Sequence, residues 1–445
     1  MTGHVSYAVK IKTDFNLKEA VRVYREAVSF FLDVARKKWD LLFLEDTSKK
    51  KINLMERFTI RTNKNPDPIY DFSSEFYKFP SYLRRAAIAE AVGMVSSYMS
   101  NKKNWEESDP KTRKSCPGLP KVGYSYPALY KDNMFIRTGT YTARIKVFIR
   151  NTWDWIDVSL KKSDVDYIIK HCSDFKECVP ILHKRYKSWY LDFAFETKAK
   201  LNNTRIFDQK ILAVDLGINN ACTCVVMNAK GAVLERRFLR LSRENDSLTH
   251  ALGKVKRAQC LHARRKPRLW ARVNGINTDI TSKTAKFIMD LATEHHVDVI
   301  VFEHLNLCQK KKGRKGKRQR LHLWRAKSVQ RIVTERAHLR GIRISRINAN
   351  GTSRYAFDGS GKVLRGIEAG FSSYSLCRFS NGKVYNCDLN ATYNIGARYF
   401  IREILKTLKE SITTEQEVLT KVPELSHRST CVLSSLISLN EVIAA

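Results

Sequence analysis

Short apolar runs alternate with helical stretches through the second half of the chain. Five runs predict strands, in the chain order "ILAVD", "ACTCVVMN", "AVLERRFL", "VDVIVFEHL" and "GIRISRI". Helical spacing predicts three helices, "TDITSKTAKFIMDLATEHH" with Thr278 or Asp279 as N-cap, "WRAKSVQRIVTERAHLR" and "CDLNATYNIGARYFIREILKTL". The resulting order, β-β-β-α-β-α-β-α, is typical of an α/β domain built on one sheet.

The first half of the chain has a different pattern. "SYAVKIKTD" predicts a strand, and two long amphipathic helices follow it. After the boundary "DPKTRKSCPGLPK", aromatic and β-branched runs separated by turns predict a small barrel. Basic and aromatic residues together suit single-stranded nucleic acid, but for Trp153, Trp155 and Trp189 we expect positions in the barrel core.

The composition points to a polyanionic partner. The chain has 445 residues, which suits two to four domains, and it carries 80 Lys and Arg against 44 Asp and Glu, for a net charge of +36. Nucleic acid is the obvious partner, because each neutralised phosphate releases counterions. A ribosomal or generic basic protein is the alternative, but such proteins are usually shorter and have fewer core residues.

The cysteines and apolar runs indicate an intracellular protein with no membrane partner. None of the ten cysteines forms a C-x-x-C pair, and Cys222 and Cys224 share one strand face, as small core residues do. With no signal-peptide pattern, we expect a reducing compartment. The longest apolar stretch, "STCVLSSLISLNEVIAA", is short for a membrane span and contains Asn440 and Glu441.

Three carboxylates occupy the ends of predicted elements. Asp215 ends the first strand of the α/β domain, Glu303 ends the fourth, and Asp388 opens the last helix. A buried carboxylate without a partner is costly, and three at one sheet edge repel each other. They become useful if they hold two Mg²⁺ or Mn²⁺ ions, which clamp the attacking water and the leaving oxygen of a phosphodiester. Gly217 would let the backbone approach the substrate closely.

Two acid-free basic runs flank the segment that carries Glu303. Charge runs are usually solvated faces or disordered arms, but at this place we favour binding of a phosphate backbone. The candidate nucleic-acid contacts are Lys254, Lys256, Arg257, Arg264, Arg265, Lys266, Arg268, Arg272, Lys310, Lys311, Lys312, Arg314, Lys315, Lys317, Arg318 and Arg320.

The segments around the carboxylates resemble a known family. "VDLGINNA", "VIVFEHLNL" and "CDLNATYNIGAR", in this order, are similar to the three motifs of the RuvC-like nuclease domain. More specifically they resemble TnpB, the RNA-guided nuclease of insertion sequences, and the compact type V CRISPR effectors. "NTDITSKTAKFI" and "NANGTSRYA" resemble the family's linking text, so the match covers about residues 210–400. The N-terminal half is similar only in its layout.

The resemblance implies a multidomain α+β fold. A helical recognition insert and a wedge-type β-barrel would precede an RNase H-like (RuvC) α/β nuclease domain with a degenerate zinc-finger insert. The implied domains are 1–14 (first strand of the wedge barrel), 15–110 (helical recognition domain), 111–205 (oligonucleotide-binding-like wedge barrel), 206–348 and 386–410 (the two nuclease parts), 349–385 (zinc-finger, target-nucleic-acid-binding insert) and 411–445 (C-terminal tail).

The implied activity is Mg²⁺-dependent cleavage of DNA guided by RNA. A monomeric ribonucleoprotein would bind a structured guide RNA, recognise a short flanking motif in double-stranded DNA, open it and cut both strands at one site. It would act in the cytoplasm of a prokaryote, at the nucleoid. Asp215, Glu303 and Asp388 would be the catalytic residues and metal ligands.

Two other functions remain open at this stage. A guided DNA-binding repressor without cleavage ranks lower, because inactive relatives normally lose a catalytic carboxylate and all three are present. A DNA-joining transposase with an RNase H-like core also ranks lower, because a long helical insert and a barrel precede the core.

The sequence departs from the family pattern at two places. Zinc would need two C-x-x-C pairs, but the first falls on Ala356 and Gly359 and the second keeps only Cys377, with Ser380 as its mate. His322, His338 and Cys387 lack ligand spacing relative to Cys377, so we expect no zinc. The family's D-R-D is replaced by Asn386, Cys387 and Asp388, which keeps only the final aspartate.

Overall fold

The computed structural model describes two compact units. One unit, here called the N-terminal unit, is His4–Thr197, and the other, the C-terminal unit, comprises Lys198–Ala445 together with Met1–Gly3. The described residues are 2–63, 65–110, 113, 115–217, 220–261, 266–305, 325–408, 420, 422, 425 and 429–444. Within these ranges, no helix is both long enough and apolar enough to cross a membrane.

Helices form the first layer of the N-terminal unit. They are α1 (Lys18–Lys37), α2 (Trp39–Phe43), α3 (Ser48–Thr59), α4 (Phe72–Glu75), α5 (Ser81–Glu106) and α6 (Lys162–Cys172). The two long helices, α1 and α5, pack on each other as the apolar spacing predicts. The shorter α3 and α4 were not predicted, because local hydrogen bonds define their starts: Thr47 Oγ1 accepts from Lys50 N, and Asp71 Oδ1 accepts from Ser73 N.

A seven-stranded sheet forms the second layer of this unit. Its strands are β1 (Thr2–Lys12), β2 (Phe135–Gly139), β3 (Thr142–Ile149), β4 (Thr152–Leu160), β5 (Lys176–Glu177), β6 (Ile181–Arg185) and β7 (Ser188–Lys198). The order is β2-β3-β4-β1-β7-β5, with β6 also paired to β7. The first strand of the chain therefore lies inside the later sheet, between β4 and β7.

The three tryptophans of this sheet are half-buried rather than fully enclosed. Trp153 and Trp189 pack against the hydrophobic core, which agrees with the sequence prediction. Trp155 lies instead beside the guanidinium of Arg144, whose Cζ is 5.9 Å from the ring centroid. A core position is therefore wrong for Trp155, because its neighbour across the strand pair is the polar Lys146.

The C-terminal unit is built on a five-stranded sheet. Its strands are β8 (Lys210–Asp215), β9 (Cys222–Asn228), β10 (Val233–Leu239), β11 (Val299–His304) and β12 (Arg343–Asn348), in the order β10-β9-β8-β11-β12. The strands β8, β11 and β12 run parallel, while β9 is antiparallel to β8. All five strands predicted from the apolar runs are confirmed.

Helices cover both faces of this sheet. They are α7 (Ser242–Cys260), α8 (Pro267–Glu294), α9 (Ala326–Leu339), α10 (Cys387–Leu408) and α11 (Leu433–Ala444), with short 3₁₀ turns at Ile206–Asp208 and Gly366–Ala369. Alternate residues of β8 point to opposite faces. Ile211 and Ala213 share a core with α10, whereas Leu212 and Val214 share one with α8 and α9.

The helix α10 approaches the sheet closely at Gly396. A Cβ on Gly396 would lie 2.1 Å from Met227 Sδ, and 3.4 Å from Ala213 Cβ. Glycine therefore fixes how near the helix that carries Asp388 can lie to β8.

The predicted start of α8 is wrong. The helix begins at Pro267, so Thr278 and Asp279 lie inside it and neither is an N-cap. Proline suits the first helical turn, because the amide proton it lacks would have no partner there. Thr278 Oγ1 instead donates to the carbonyl of Asn274 one turn earlier, at 2.8 Å.

Two further segments complete the C-terminal unit. Residues after β12 form a small sheet of β13 (Leu364–Arg365), β14 (Leu376–Arg378) and β15 (Val384–Asn386). The helix α11 packs on α10 and contributes Leu433, Leu436 and Leu439 to its core. The predicted C-terminal tail thus contains a core helix, whose Asn440 Nδ2 donates to Ala229 O at 2.9 Å.

Candidate active site

Strand register places Asp215 beside Glu303. Val214 of β8 pairs with Phe302 of β11, and the two carboxylates are the next residue on each parallel strand. Neighbouring strands lie about 4.8 Å apart, and residues in register point to the same face. That face is the one occupied by Ile211 and Ala213, which α10 covers.

The third carboxylate comes to the same face from α10. Asp388 lies in the first turn of this helix, which packs on β8. Asn386 provides the cap, since its Oδ1 accepts from the backbone N of Asp388 and of Leu389, at 3.0 Å each. The asparagine that replaces the first residue of the family's D-R-D therefore fixes where the helix begins.

The three carboxylates interact electrostatically. Desolvation by the surrounding residues raises the pKa of Asp215 well above its usual value, and the negative charges of Glu303 and Asp388 raise it further. Burial also raises the pKa of Glu303, against the opposing effects of a hydrogen bond from Thr352 and the charge of Arg398. All three residues are half-buried. The acidic cluster that they form is therefore partly accessible to solvent.

Side chains that the sequence pattern did not reveal orient these carboxylates. Asn220 Nδ2 donates to Asp388 Oδ2 at 2.6 Å, and Thr352 Oγ1 donates to Glu303 Oε1 at 2.6 Å. Gln330 Nε2 donates to the backbone O of Glu303 at 2.9 Å. Asn220 and Thr352 stand in the quoted segments "VDLGINNA" and "NANGTSRYA", but neither pattern indicated which side chain would reach a carboxylate.

Gly217 has a structural role in the loop after β8. A Cβ on Gly217 would lie 2.5 Å from the backbone O of Asn220. Glycine at this position therefore lets the backbone of Asn220 lie close to that of Gly217. This packing supplies a reason for the glycine besides the substrate approach that we predicted.

A cation from the small three-stranded sheet reaches the acidic cluster. Arg365 lowers the pKa of Asp215, against the larger effects that raise it. Its Nη2 donates to the carbonyl of Ser353, while its buried Nε has no hydrogen-bond partner among the described residues. A buried N–H donor with no partner is costly, so this Nε would gain from an acceptor.

The chemistry of the donor set fits a hard divalent cation. Carboxylate oxygens are the ligands that Mg²⁺ and Mn²⁺ prefer, and a cation would relieve the repulsion among Asp215, Glu303 and Asp388. In the described ranges, no three His, Cys, Asp or Glu side chains are close enough as placed to hold one ion together. The structure thus shows an electrostatic cluster, and metal ligation stays a prediction.

The sequence prediction for the thiols needs a correction. Cys387 was judged to lack ligand spacing relative to Cys377, but the turn between β14 and β15 brings both into one apolar cluster with Ala356 and Phe379. The neighbouring Cys387 and burial raise the pKa of Cys377. Ser380, which stands where the second C-x-x-C pair would have its other cysteine, donates a hydrogen bond from its Oγ to the carbonyl of Lys362 at 3.4 Å. The four residues Ala356, Cys377, Phe379 and Cys387 thus form a small buried apolar cluster.

The predicted basic contacts fall into two groups. Six are described and exposed: Lys254, Lys256, Arg257, Lys266, Arg268 and Arg272. Ion pairs in this part of the described chain use Arg237 and Lys283 instead, which leaves the charges of the six available to phosphates. The other ten lie outside the described residues: Arg264, Arg265, Lys310, Lys311, Lys312, Arg314, Lys315, Lys317, Arg318 and Arg320.

Sequence comparison assigns the chain to a family. The model of the Aq_aa04 family matches residues 5–149. The uncharacterized protein aq_aa04 of Aquifex aeolicus (strain VF5) is 32% identical over 149 residues, which are 29% of this chain and 84% of that protein. The chain belongs to the Aq_aa04 family.

A second relative matches a larger share of this chain. The TnpB-like protein aq_aa05 of Aquifex aeolicus (strain VF5) is 26% identical over 230 residues, which are 48% of this chain and 74% of that protein. The resemblance to TnpB and the compact type V effectors, which the three motifs indicated, is thereby confirmed.

Two solved structures share the fold of this Aq_aa04 family member. A Cas12f1–sgRNA–target DNA complex gives a TM-score of 0.55 at 14% identity, over 85% of this chain and 80% of that chain. The mini-RNA-guided endonuclease CRISPR-Cas_phi3 gives 0.51 at 10% identity, over 88% and 92%. The chain therefore has the mixed α/β multidomain fold of the Cas12 effectors.

Proposed function

We propose that this chain is an RNA-guided DNA endonuclease with one RuvC-like site. The observation that carries the proposal is the cluster of Asp215, Glu303 and Asp388 at one sheet edge, each from a different element. The observed order of three strands, the helices α7 and α8, and then β11, α9 and β12, with α10 following the small sheet, supports an RNase H-like domain. The similarity to a TnpB-like protein and to Cas12 structures supports the same conclusion.

The chain's own residues would bind and orient the scissile phosphate. Asp215, Glu303 and Asp388 would hold two Mg²⁺ or Mn²⁺ ions, and when bound these ions supply Lewis-acid stabilisation of the attacking and leaving oxygens. Asn220 and Thr352 orient two of the carboxylates through their hydrogen bonds. Arg365 adds positive charge beside Asp215, where negative charge develops on the phosphate in the transition state.

A guide RNA and double-stranded target DNA are the proposed partners. The net charge of +36 needs a polyanion, and a guide–target duplex is held through its backbone rather than its sequence. Base pairing would then select the target, and the exposed cations would position it. The Cas12f1 structure contains both an sgRNA and a target DNA, which supports this assignment.

The test of this function begins with the RNA that copurifies with the full-length chain. We expect bound RNA, and we expect the stripped protein to aggregate at low salt because its +36 charge is then uncompensated. Sequencing that RNA defines a guide, and a matching double-stranded DNA library with random flanks is then cut only with Mg²⁺ present. A nucleic-acid-free protein that stays monomeric at low salt contradicts the proposal. Tight guided binding without cleavage identifies a repressor instead.

Neutralising the described basic surface should weaken nucleic-acid binding. In a variant with Lys254, Lys256 and Arg257 changed to Ala, up to three phosphate contacts are lost. The slope of log K against log salt should then become shallower by about 2–3. Mobility-shift titrations at several salt concentrations measure the slope. Lys283→Ala is the control, because its ammonium is already paired with Glu244 at 2.6 Å and Asp279 at 2.8 Å. An unchanged slope in the triple variant would exclude this surface from binding.

We also propose that the small sheet folds without zinc. Ala356 and Cys377 pack together with Phe379 and Cys387, and two thiols are fewer than the four ligands of a structural zinc. Elemental analysis of the purified protein should give well under one zinc per chain. Chelator treatment should leave the melting temperature unchanged. One tightly bound zinc per chain would show that ligands elsewhere in the chain complete a site.

A further inference from the structure

The strand β10 brings further side chains to the face of the sheet that carries the three carboxylates. It is the edge strand, antiparallel to β9 and therefore parallel to β8, so it ends at the same edge of the sheet as β8. Phe238 of β10 pairs with Thr223, and Thr223 pairs with Asp215, so the three form one row on one face. With neighbouring strands about 4.8 Å apart, the Cα atoms of Phe238 and Asp215 are roughly 10 Å apart.

Arg236 lies on this same face, two residues before Phe238. It pairs with Val225, which belongs to the core shared with α10, and its Nη1 donates to Tyr393 Oη of that helix at 3.4 Å. The hydroxyl of Tyr393 is in turn hydrogen-bonded to that of Tyr385, at 3.1 Å. Arg236 is exposed, and among the described residues its guanidinium pairs with no carboxylate. Its positive charge is therefore held in position without being neutralised.

Arg240 follows β10 at the edge where the carboxylates lie. The backbone O of Leu239 accepts from Ala221 N at 2.9 Å, and the side chain of Asn220, the residue before Ala221, donates to Asp388. Arg240 is therefore next to the loop that contacts the acidic cluster. It is exposed, and it forms no ion pair within the part of the chain that the structure describes.

Prevention of strand pairing does not account for these side chains. Charged residues are common on edge strands, where they keep other chains from pairing. That role needs no fixed side-chain position, whereas Arg236 is held on the carboxylate face by a tyrosine hydroxyl. It also needs no aromatic residue, yet the half-buried Phe238 stands between the two cations. Cations together with an accessible ring are the combination that binds single-stranded nucleic acid, through its phosphates and its bases.

We propose that the β10 face formed by Arg236, Phe238 and Arg240 binds the strand being cut, as a single strand, beside the scissile phosphate. This inference rests on the proposed nuclease function and names how its substrate is held. The two guanidinium groups bind phosphates, and the ring of Phe238 stacks on a base between them. Because the row that contains Phe238 leads to Asp215, a strand bound on this face continues to the carboxylates.

Neighbouring positions on β10 supply matched variants. Arg236→Gln and Arg240→Gln each remove one charge and keep most of the side-chain length. Arg237→Gln is the control, because Arg237 lies on the opposite face of the same strand and is paired with Glu294 at 3.2 Å. Phe238→Leu keeps an apolar side chain but removes the aromatic face, whereas Phe238→Tyr keeps the ring.

The direct measurement is photocrosslinking of guide-loaded protein to target strands in magnesium-free buffer, which keeps the strand intact. Each target strand carries 5-iodouracil at one position, because this base crosslinks to an aromatic ring stacked on it. With wild type, Arg237→Gln and Phe238→Tyr, we expect a crosslink to the peptide that contains Phe238 from one or two adjacent positions. Phe238→Leu should lose it. A crosslink to this peptide from the guide alone, or an unchanged yield with Phe238→Leu, overturns the proposal.

Uncharged methylphosphonate linkages test the two arginines. Placed singly in the target strand, a linkage should slow Mg²⁺-dependent cutting by wild type about tenfold at two positions near the cut. At one of these it should slow Arg236→Gln no further, and at the other Arg240→Gln no further, while Arg237→Gln keeps both effects. A purely structural defect would slow the variants and leave their response to the linkage intact. Additive effects at every position therefore overturn the proposal.

The outcomes separate this strand-binding face from the proposed function. If wild type forms the position-specific crosslink but cuts no guide-matched DNA, the nuclease function fails and the strand-binding face stands. If wild type cuts guide-matched DNA without a crosslink at Phe238, and the linkage effects are additive, only the strand-binding face fails.

Discussion

Cleavage of a guide-matched DNA by the Asp215→Ala, Glu303→Ala and Asp388→Ala variants is expected to fall about 10³-fold or more, equivalent to about 4 kcal/mol. Guide and target binding should hardly change. The three positions should behave alike, because each supplies one side of the same acidic cluster.

Cleavage should be lost while binding is retained, because the two depend on interactions that form at different stages of the reaction. Base pairing and phosphate contacts are complete in the ground-state complex. The carboxylates act on charge that develops only in the transition state, so their loss affects the rate and spares the affinity. Removing one carboxylate also relieves repulsion, since the charges of Glu303 and Asp388 raise the pKa of Asp215. Melting temperature without metal should therefore stay constant or rise slightly.

The measurement is a Mg²⁺-dependent cleavage assay beside a mobility-shift titration on the same preparations. Asp290→Ala is the matched control, because it removes one exposed carboxylate from α8 and changes the net charge equally. Full cleavage by Asp215→Ala would refute the catalytic assignment. Loss of target binding by that variant, with guide RNA retained, would instead reveal a structural role for Asp215.

The acidic cluster was predictable because it sits on periodic elements. Buried strands that end in a carboxylate give a clear signal in "ILAVD" and "VIVFE", and parallel register then places Asp215 beside Glu303. The helix that begins at Cys387 is equally clear from its apolar spacing. These are local sequence patterns. The pairing of β8 with β11 and the packing of α10 on β8 then bring the three carboxylates to one edge of the sheet.

The residues that orient the cluster could not be predicted in this way. Asn220, Thr352 and Arg365 come from a loop, a turn and a two-residue strand, none of which has a repeating pattern. Their positions depend on long-range packing, as for Thr352, which bonds a residue 49 positions away. The position of Cys377 and Cys387 in one apolar cluster was missed for the same reason, because it depends on the turn between β14 and β15.

The buried Arg398 marks another feature that the sequence pattern left unexplained. It lies on α10 at 6% exposure, in a helix whose neighbouring residues are largely core. Its Nε donates to Cys431 O at 2.9 Å and its Nη2 to Ser429 O at 2.6 Å. Its Nη1 donates to Asn348 O at 3.2 Å and Asn350 O at 2.6 Å. One guanidinium thus ties the end of β12 to the segment that leads into α11.

Arg398→Ala should lower the free energy of unfolding of the C-terminal unit by about 3–5 kcal/mol, because it leaves buried carbonyls without donors. Hydrogen exchange should show lost protection both in residues 343–351 and in residues 429–444, and none in the N-terminal unit. Arg398→Lys should recover part of the protection, since an ammonium keeps the charge but not the planar fork of donors.

Arg402→Ala is the discriminating control for this prediction. Arg402 lies one turn later on α10 and donates to Arg346 O at 3.0 Å and Ser345 Oγ at 2.7 Å, whereas its guanidinium makes no such bond to the described residues of the segment before α11. Its loss should therefore reduce protection in residues 343–351 alone. If Arg398→Ala leaves residues 429–444 as protected as before, apolar contacts of Leu433, Leu436 and Leu439 suffice to hold α11. If Arg398→Ala reduces protection in both segments and Arg402→Ala reduces it only in residues 343–351, the buried charge of Arg398 couples α11 to β12. The C-terminal helix then belongs to the same cooperative unit as the sheet edge that carries Glu303.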